Sequence, residues 1–286
     1  MGAADTIRKH WPLYLIEAGG LGIFMLAAGL ACSALEAPAS PLHLMIASAM
    51  LRRLLMGFAM GGTAVALIYS KWGARSGAHF NPALTLTFAM LGKLARVDAV
   101  LYMLAQFIGG VAGVVLTLLL VGQPFAQPPV SFVVTAPGVD GAFIAFCLEV
   151  AISALLMTVT LYASNKTRWM QYTGLLCGLL IVLFVTFESP YSGMSMNPAR
   201  TAASAIPSAI WTAAWIYFLA PPCGMLTAAL LYRRLHPAHT VACAKLNHDT
   251  EHPCPFHCNF AVRGIHVPSL IRDLPYHIAH KRPASP

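Results

Sequence analysis

Charged residues are scarce in this chain of 286 residues. Asp, Glu, Lys and Arg together make up 10% of the sequence, whereas hydrophobic residues make up 58%. A soluble domain carries about 25% charged residues, so the shortage predicts a membrane protein. The formal net charge is +8, but the basic residues lie between apolar segments and in the C-terminal tail. They form no basic stripe with interleaved aromatic residues, which argues against a nucleic-acid partner.

Two further features are missing. The first apolar run is too long for a secretory signal peptide and no small-residue cleavage site follows it, so we expect a retained membrane span. Ser76 and His79 could be paired as in a hydrolase, but no acid partner or oxyanion motif accompanies them. We therefore do not expect an enzyme.

Six apolar stretches are long enough to cross a membrane, which takes about 20 residues. They comprise residues 12–35, 51–70, 97–121, 142–163, 169–187 and 209–232. Two shorter stretches, 82–91 and 198–206, would each reach about 15 Å as a helix, or half of the hydrocarbon core. The predicted organisation is an N-terminal segment (1–11), a first repeat (12–122), an outer loop (123–140), a second repeat (141–235) and a tail (236–286).

The basic residues that flank these stretches predict the orientation. Lys and Arg accumulate in loops on the cytoplasmic side of a membrane, and the segment 123–140 has none. The residues that fall on the opposite side are Arg8, Lys9, Lys71, Arg75, Lys93, Arg96, Lys166, Arg168, Arg233 and Arg234. We therefore expect a multi-pass protein of the cell membrane with both termini in the cytoplasm. Arg52 and Arg53 depart from the rule, and we interpret them as residues that reach the outer interface.

The sequence Ser-Gly-x-x-x-Asn-Pro-Ala-x-Thr occurs twice, as "SGAHFNPALT" from Ser76 and as "SGMSMNPART" from Ser192. A second pair of similar segments, "YMLAQFIGG" and "YFLAPPCGM", begins at Tyr102 and Tyr217. Each half of the chain has three spans, and an odd number forces the halves to insert with opposite topology. Inverted repeats with broken helices that meet at the midplane are typical of transporters and channels.

The motif residues favour the start of a helix. Asn is a preferred N-cap and Pro is preferred at the first helical position. The residues concerned are Asn81, Pro82, Ala83, Asn197, Pro198 and Ala199. Non-helical backbone at membrane depth must line a watery cavity or be buried in protein, so the two loops predict a pore. We expect each Asn oxygen to cap its own half-helix and each NH₂ to donate into the lumen, where two helix N-termini also repel cations.

With these two motifs, the chain resembles the aquaporin family, the major intrinsic proteins, and within it the bacterial type. The resemblance covers about residues 10–235. It implies an all-α membrane protein, a right-handed bundle of six transmembrane helices with two re-entrant half-helices. It also implies one pore per chain and a homotetramer in the lipid bilayer. The activity that it implies is passive conduction of water, and of small uncharged solutes, with exclusion of ions and protons.

The resemblance places an outer constriction at Arg200, which occurs only in the second motif. Counting without gaps from each motif puts the other three positions at Gly61, Val185 and Met194. Water-selective members carry an aromatic residue at the first position and usually a histidine at the second, so this filter should be wider and less polar. A single gap would move the first position to Met60 or Gly62. Alternatively, Gly61 is a helix-contact residue of a Gly-x-x-x-Gly pair.

Other markers point back towards water. Glycerol channels usually have Asp directly after the arginine and a basic residue four positions further on, where this chain has Thr201 and Ala205. Tyr217 and Phe218 look like the aromatic pair of water channels. We expect water as the main solute. The alternative is a channel mainly for another neutral solute, such as glycerol, ammonia or hydrogen peroxide.

The sequence is compatible with two roles for each of three polar residues. Glu17 in the first span and Glu149 in the fourth occupy matching places, and intramembrane carboxylates can serve as proton relays. Their symmetry favours structural support instead, and the resemblance implies that they accept backbone N–H bonds from the motif loops. His79 either lines the cytoplasmic vestibule and senses pH or forms a loop-stabilising hydrogen bond.

The tail from residue 237 onwards is rich in Pro and His and reads as a poor core. Within it, Cys and His residues that can bind zinc or copper accumulate over a short stretch. They are Cys243, His248, His252, Cys254, His257 and Cys258. Their spacing matches no standard zinc finger, and a solvated tail is the alternative. A channel would require no cofactor, whereas a membrane metal sensor or scaffold would act through this tail.

Overall fold

The computed structural model describes residues 2–236, 241–248 and 254–260, and the regular structure in these ranges is helical throughout. The eight principal helices in chain order are α1 (Ala3–Glu36), α2 (Ala49–Tyr69), α3 (Pro82–Met90), α4 (Arg96–Val121), α5 (Gly141–Ser164), α6 (Thr173–Phe187), α7 (Pro198–Ser208) and α8 (Trp215–Leu235). Six of them are long and apolar enough to cross a membrane. The other two, α3 and α7, are the predicted half-helices.

The first and last spans have different limits from those predicted. Helix α1 begins at Ala3 rather than at residue 12. Its polar first turns are tied to α4, because His10 Nδ1 and the Tyr14 hydroxyl contact Asp98 at 3.0 and 2.7 Å. Helix α8 begins at Trp215 rather than at residue 209. The backbone turns before it, since Ala209 and Ala213 have positive φ angles of 56° and 48°.

The spans pack in pairs that follow the repeat: α1 on α4, α5 on α8, and α2 on α6. Glycines allow the backbones to approach closely at these crossings. A Cβ atom at Gly109 would lie 1.9 Å from the Ala18 carbonyl oxygen, and one at Gly224 would lie 2.3 Å from that of Val150. These two glycines belong to the matching segments that begin at Tyr102 and Tyr217, so the inverted repeat extends to the helix contacts.

Part of the tail is packed against the bundle. Val241, Cys243 and Leu246 are buried in the same apolar cluster as residues of α3, α4 and α8, together with Phe256 and Phe260. The expectation of a solvated tail with little core is therefore wrong for residues 241–246. The sequence signal for this burial is that five of the six residues in "VACAKL" are apolar.

Candidate functional site

A cavity of about 330 Å³ runs through the bundle between the two half-helices. Glu36 and Arg53 line one end, Asn81 and Asn197 line the middle, and Leu246 of the tail lines the other end. Both Asn-Pro-Ala loops therefore border one continuous space. This is the arrangement that the inverted repeat predicts for a pore.

The Glu17 side chain holds the first Asn-Pro-Ala loop in place. Its carboxylate is fully buried and accepts hydrogen bonds from Ser76 Oγ at 2.7 Å, from the backbone N–H of His79 at 3.2 Å, from that of Phe80 at 2.6 Å and from Gln106 Nε2 at 2.8 Å. Both of its oxygens are engaged. Such contacts fix a non-helical loop whose N–H groups have no other partner inside the membrane.

Glu149 makes the equivalent contacts in the second half. It accepts hydrogen bonds from Ser192 Oγ at 2.9 Å and from the backbone N–H groups of Ser195 at 2.6 Å and Met196 at 2.8 Å. The two carboxylates thus bind equivalent atoms of the two loops. This symmetry favours loop support over a proton relay, which would need a path from one carboxylate to another titratable group.

The two asparagines cap the half-helices as the sequence predicts. The Asn81 side-chain oxygen accepts from the backbone N–H of Ala83 at 2.9 Å. The Asn197 side-chain oxygen accepts from Ala199 at 3.0 Å and from Arg200 at 3.2 Å. Both N-termini therefore point at the middle of the cavity, where the partial positive charges of the two helices add.

The amide nitrogens of these asparagines have a role that the sequence did not predict. Asn81 Nδ2 donates to the Met196 carbonyl at 2.7 Å, and Asn197 Nδ2 donates to the Phe80 carbonyl at 2.8 Å. Each amide thus bridges to the opposite loop and uses one of its two hydrogens. The expectation that each NH₂ is wholly free for the lumen is wrong, because each amide uses one N–H to bridge the two loops.

Three of the four predicted constriction residues line the cavity: Val185, Met194 and Arg200. The guanidinium of Arg200 donates from Nη1 to the Val133 carbonyl at 2.9 Å. This bond comes from the loop between the two repeats. It holds the arginine side chain at one side of the cavity.

The prediction that Gly61 is the fourth constriction residue is wrong. A Cβ atom there would lie 2.5 Å from the Gly178 carbonyl oxygen and 2.7 Å from Val182 Cγ2, so Gly61 faces α6. Its neighbour Met60 lines the cavity instead. The glycine is therefore a helix-contact residue, and the side chain that reaches the cavity next to it is the long, apolar one of Met60.

His79 lies in the wall of the cavity. The ring is buried, with Nδ1 at 3.1 Å from Thr85 Oγ1 and Nε2 at 2.8 Å from the Ala244 carbonyl oxygen. It stacks between Phe88 and Phe256, at centroid distances of 5.2 and 5.6 Å. These contacts favour the hydrogen-bonding role over a pH-sensing vestibule residue, and half of them are made to the tail.

The tail also contacts the first loop through its backbone. The N–H of Leu246 donates to the Gly77 carbonyl at 3.1 Å, and its side chain lines the cavity. Lys93, just after α3, forms two bonds to His257: its carbonyl accepts from the His257 N–H and its ammonium donates to the His257 carbonyl, both at 3.1 Å. No sequence motif had indicated that Leu246 would reach the pore.

Four tail residues form a cluster that can hold a metal ion. The ligand atoms of Cys243, His248, Cys254 and Cys258 all lie within 4.8 Å of one another. The Sγ atoms of Cys243 and Cys254 are 3.4 Å apart, and His248 Nε2 is 3.2 Å from Cys258 Sγ. His257, also proposed as a ligand, is exposed and lies outside the cluster. The remaining candidate, His252, falls outside the described residues.

The electrostatics of the cluster favour thiolates at Cys254 and Cys258. A hydrogen bond from the Cys243 thiol lowers the pKa of Cys254 and that of Cys258, and the same bonds raise the pKa of Cys243. The charge of the buried Lys245 lowers the pKa of Cys254 further. Thiolate is the form in which cysteine binds metals.

The comparisons with known proteins agree with the geometry. Aquaporin NIP2-3 of Zea mays is 34% identical over 65% of this chain and 60% of its own length. Aquaporin NIP1-4 of Oryza sativa is 36% identical over 61% of this chain and 62% of its own length. The chain thus spans about three fifths of the curated relatives that it matches.

A solved structure and a family profile also match this chain. The crystal structure of the aquaglyceroporin from Plasmodium falciparum superposes with a TM-score of 0.66 at 19% identity, covering 80% of this chain and 98% of that one, which shows a shared fold. The profile described as "Major intrinsic protein" matches residues 15–232. The bacterial type within the family stays a prediction. With both Asn-Pro-Ala loops meeting in one cavity and the profile covering the whole bundle, the chain belongs to the major intrinsic protein family.

Proposed function

We propose that this protein is a passive membrane channel for water and small uncharged solutes. The observation that carries this proposal is the meeting of two capped half-helices, α3 and α7, at a cavity that continues to both ends of the bundle. Passive conduction needs no cofactor and no catalytic group. The relatives in maize and rice bear the name aquaporin, and that of the Plasmodium neighbour is aquaglyceroporin.

The channel excludes ions and protons by electrostatics at the middle of the pore. Each half-helix contributes about half an elementary positive charge at its N-terminus, which repels cations. The free N–H of Asn81 and that of Asn197 donate to the oxygen of a passing water molecule. A water whose two lone pairs accept from these donors can donate to the water on either side but cannot accept from either, so the proton wire is interrupted.

The outer constriction admits water and small neutral solutes. It combines one charged donor, Arg200, with the apolar side chains of Met60, Val185 and Met194. The arginine donates to a solute oxygen and repels cations, while the apolar wall accepts a carbon face. Water is the main solute in this proposal. Glycerol, ammonia and hydrogen peroxide are the alternatives, and the apolar character of three sides favours some passage of glycerol.

The protein spans the cell membrane with both termini in the cytoplasm and assembles as a homotetramer. The orientation is supported by the loop charges, and the tetramer by membership of the family. Large apolar side chains are exposed around the bundle, among them Leu119, Phe143 and Leu230. Such surfaces require lipid or a neighbouring subunit.

Stopped-flow light scattering on proteoliposomes tests the channel directly. A sucrose gradient reports water permeability, and a glycerol gradient reports solute entry. We expect water permeability well above that of empty liposomes without ohmic proton current. A protein that conducts protons in step with water would overturn the proposal.

We also propose that the tail cluster binds a zinc or copper ion through Cys243, His248, Cys254 and Cys258. Three sulfur atoms and one imidazole nitrogen within 4.8 Å support it. A complete pore beside the cluster disfavours a sensor or scaffold without conduction. Metal analysis of the purified protein, with and without the Cys254→Ser and Cys258→Ser changes, tests the site. One ion per chain is expected in the wild type and none in the double variant.

A further inference from the structure

The tail occupies one mouth of the pore. Leu246 lines the same cavity as Ile68, Thr160 and Cys177, which lie at the ends of α2, α5 and α6 on the side opposite Glu36. The Leu246 side chain is 5% exposed, so it is wedged among these walls rather than resting on the surface. An apolar side chain at a narrow mouth is a barrier to a file of water molecules, because it offers them no hydrogen bond.

Leu246 is called the plug below. The tail residues that hold it in the mouth of the pore alternate along the chain with the residues of the metal cluster. Ala244 and Leu246, which bond to His79 and Gly77, lie between two of the cluster residues. Phe256, which stacks on His79, lies between the other two. The cluster residues in chain order are Cys243, His248, Cys254 and Cys258. Among the described tail residues, these three contacts to the first loop therefore come from positions within two residues of a ligand.

The cluster also joins the two described tail segments to each other. Residues 241–248 supply Cys243 and His248, and residues 254–260 supply Cys254 and Cys258. Neither segment contains a helix or a strand, and one backbone bond, from the Asn259 N–H to the Ala242 carbonyl at 2.9 Å, links them directly. A metal bound here would add its binding free energy to that of the apolar packing, since a preformed site does not exist in the unfolded chain.

The ligand set fits Zn²⁺. A tetrahedral site with Zn–S bonds of about 2.3 Å and a Zn–N bond of about 2.0 Å has ligand atoms roughly 3.5–3.8 Å apart. Two of the distances in the cluster, 3.4 and 3.2 Å, are close to this, and none exceeds 4.8 Å. Three thiolates, one neutral imidazole and Zn²⁺ sum to one negative charge. The buried Lys245 ammonium compensates that charge.

We propose that Zn²⁺ bound to these four residues locks the tail in the mouth of the pore and closes the channel, and that removal of the ion releases Leu246 and opens it. The inference rests on the proposed channel function and the proposed metal site. A ligand that binds only the docked form shifts the docked-to-undocked ratio by about a hundredfold when its concentration is about a hundred times its Kd. At about a hundred times its Kd, zinc would therefore convert a tail that is mostly undocked without the ion into one that is mostly docked.

The test uses the full-length protein in liposomes prepared under a thiol reductant, with either buffered Zn²⁺ or a zinc chelator on both sides of the membrane. Water permeability is measured by stopped-flow light scattering, and bound zinc is counted in the same samples. We expect zinc to abolish most of the permeability of the wild type and the chelator to restore it. His257→Ala is the matched control, since its exposed side chain lies outside the cluster, and it should respond as the wild type does.

Two variants separate the plug from the metal site. Leu246→Ala should keep one zinc ion per chain but conduct in its presence. The double change Cys254→Ser and Cys258→Ser should bind no zinc and conduct under both conditions. If the wild type binds zinc and its permeability does not change, the plug is wrong while the channel and the metal site stand. If neither the wild type nor Leu246→Ala conducts under any condition, the channel proposal itself falls, and the plug falls with it.

Discussion

His79 of the first Asn-Pro-Ala loop bonds through its ring to the Ala244 carbonyl oxygen of the tail, with 2.8 Å between the two atoms. The loop that forms one wall of the pore and the segment that covers its mouth are thus in direct contact. Phe256 completes this contact by stacking on the same ring at 5.6 Å. Any change that loosens the tail should therefore also weaken the contacts that hold the loop.

Replacing Phe256 by Ala should loosen the docked tail. An aromatic pair contributes about 0.5–1.5 kcal/mol beyond its buried area, so local opening should become about two- to tenfold more frequent. Hydrogen exchange at the Leu246 amide, which donates to the Gly77 carbonyl, measures this opening. The exposed His257 offers a control through His257→Ala, and equal exchange rates in both variants would show that the ring does not hold the tail.

Small substitutions can test whether Met60 lines the outer constriction and Gly61 is a helix-contact residue. Met60→Ala should widen the outer constriction and raise glycerol permeability relative to water, because it removes a long side chain from the cavity wall. Gly61→Ala should instead lower the yield of assembled protein, since its Cβ would lie 2.5 Å from the Gly178 carbonyl oxygen.

Gly62→Ala is the matched control for this pair, because a Cβ atom there meets nothing within 4 Å. It should leave yield and both permeabilities unchanged. A glycerol-to-water ratio that falls with Gly61→Ala and does not change with Met60→Ala would return the filter position to the glycine.

Asn197→Asp should weaken cation exclusion. The carboxylate can still cap α7, but it places an oxygen where Nδ2 now donates to the Phe80 carbonyl, and it adds a negative charge at the pore centre. An added charge within a few ångströms lowers the barrier for a cation by more than about 1.4 kcal/mol, which is about tenfold in rate.

A pH-sensitive dye inside proteoliposomes measures the resulting proton flux. Asn81→Asp is the matched second variant, since its Nδ2 faces the Met196 carbonyl in the same way. Proton fluxes that stay at the wild-type level in both variants, with water flux retained, would place ion exclusion elsewhere in the pore.

Glu17→Gln and Glu149→Gln should destabilise the fold. Each carboxylate accepts bonds through both oxygens, and an amide would turn one acceptor into a donor that faces N–H groups. A buried group without its partner costs about 1–3 kcal/mol. Thermal unfolding in detergent should shift to lower temperature in both variants, whereas Asp140→Asn, in an exposed position, should leave it unchanged. Variants that unfold at the wild-type temperature but change the proton flux into proteoliposomes would instead indicate a proton relay.

The sequence by itself determined the bundle and the pore. Span length, the apolar runs and the N-cap chemistry of Asn81 and Asn197 are local properties, and the odd number of spans per half imposes the inverted repeat. The loop-supporting contacts of Glu17 and Glu149 followed from the same symmetry together with the family resemblance. These features depend on residues close in sequence or on a repeat that can be read directly.

Only the tertiary structure decided which side chains meet. One residue along a helix rotates the side chain by about 100°, so counting from the motif could not separate Met60 from Gly61. The bonds from each asparagine to the opposite loop join residues of different halves, and their partners are backbone carbonyls, which every sequence contains. The contact of Leu246 and Ala244 with the first loop spans more than half of the chain, and the packing that creates it exists only once the bundle has formed.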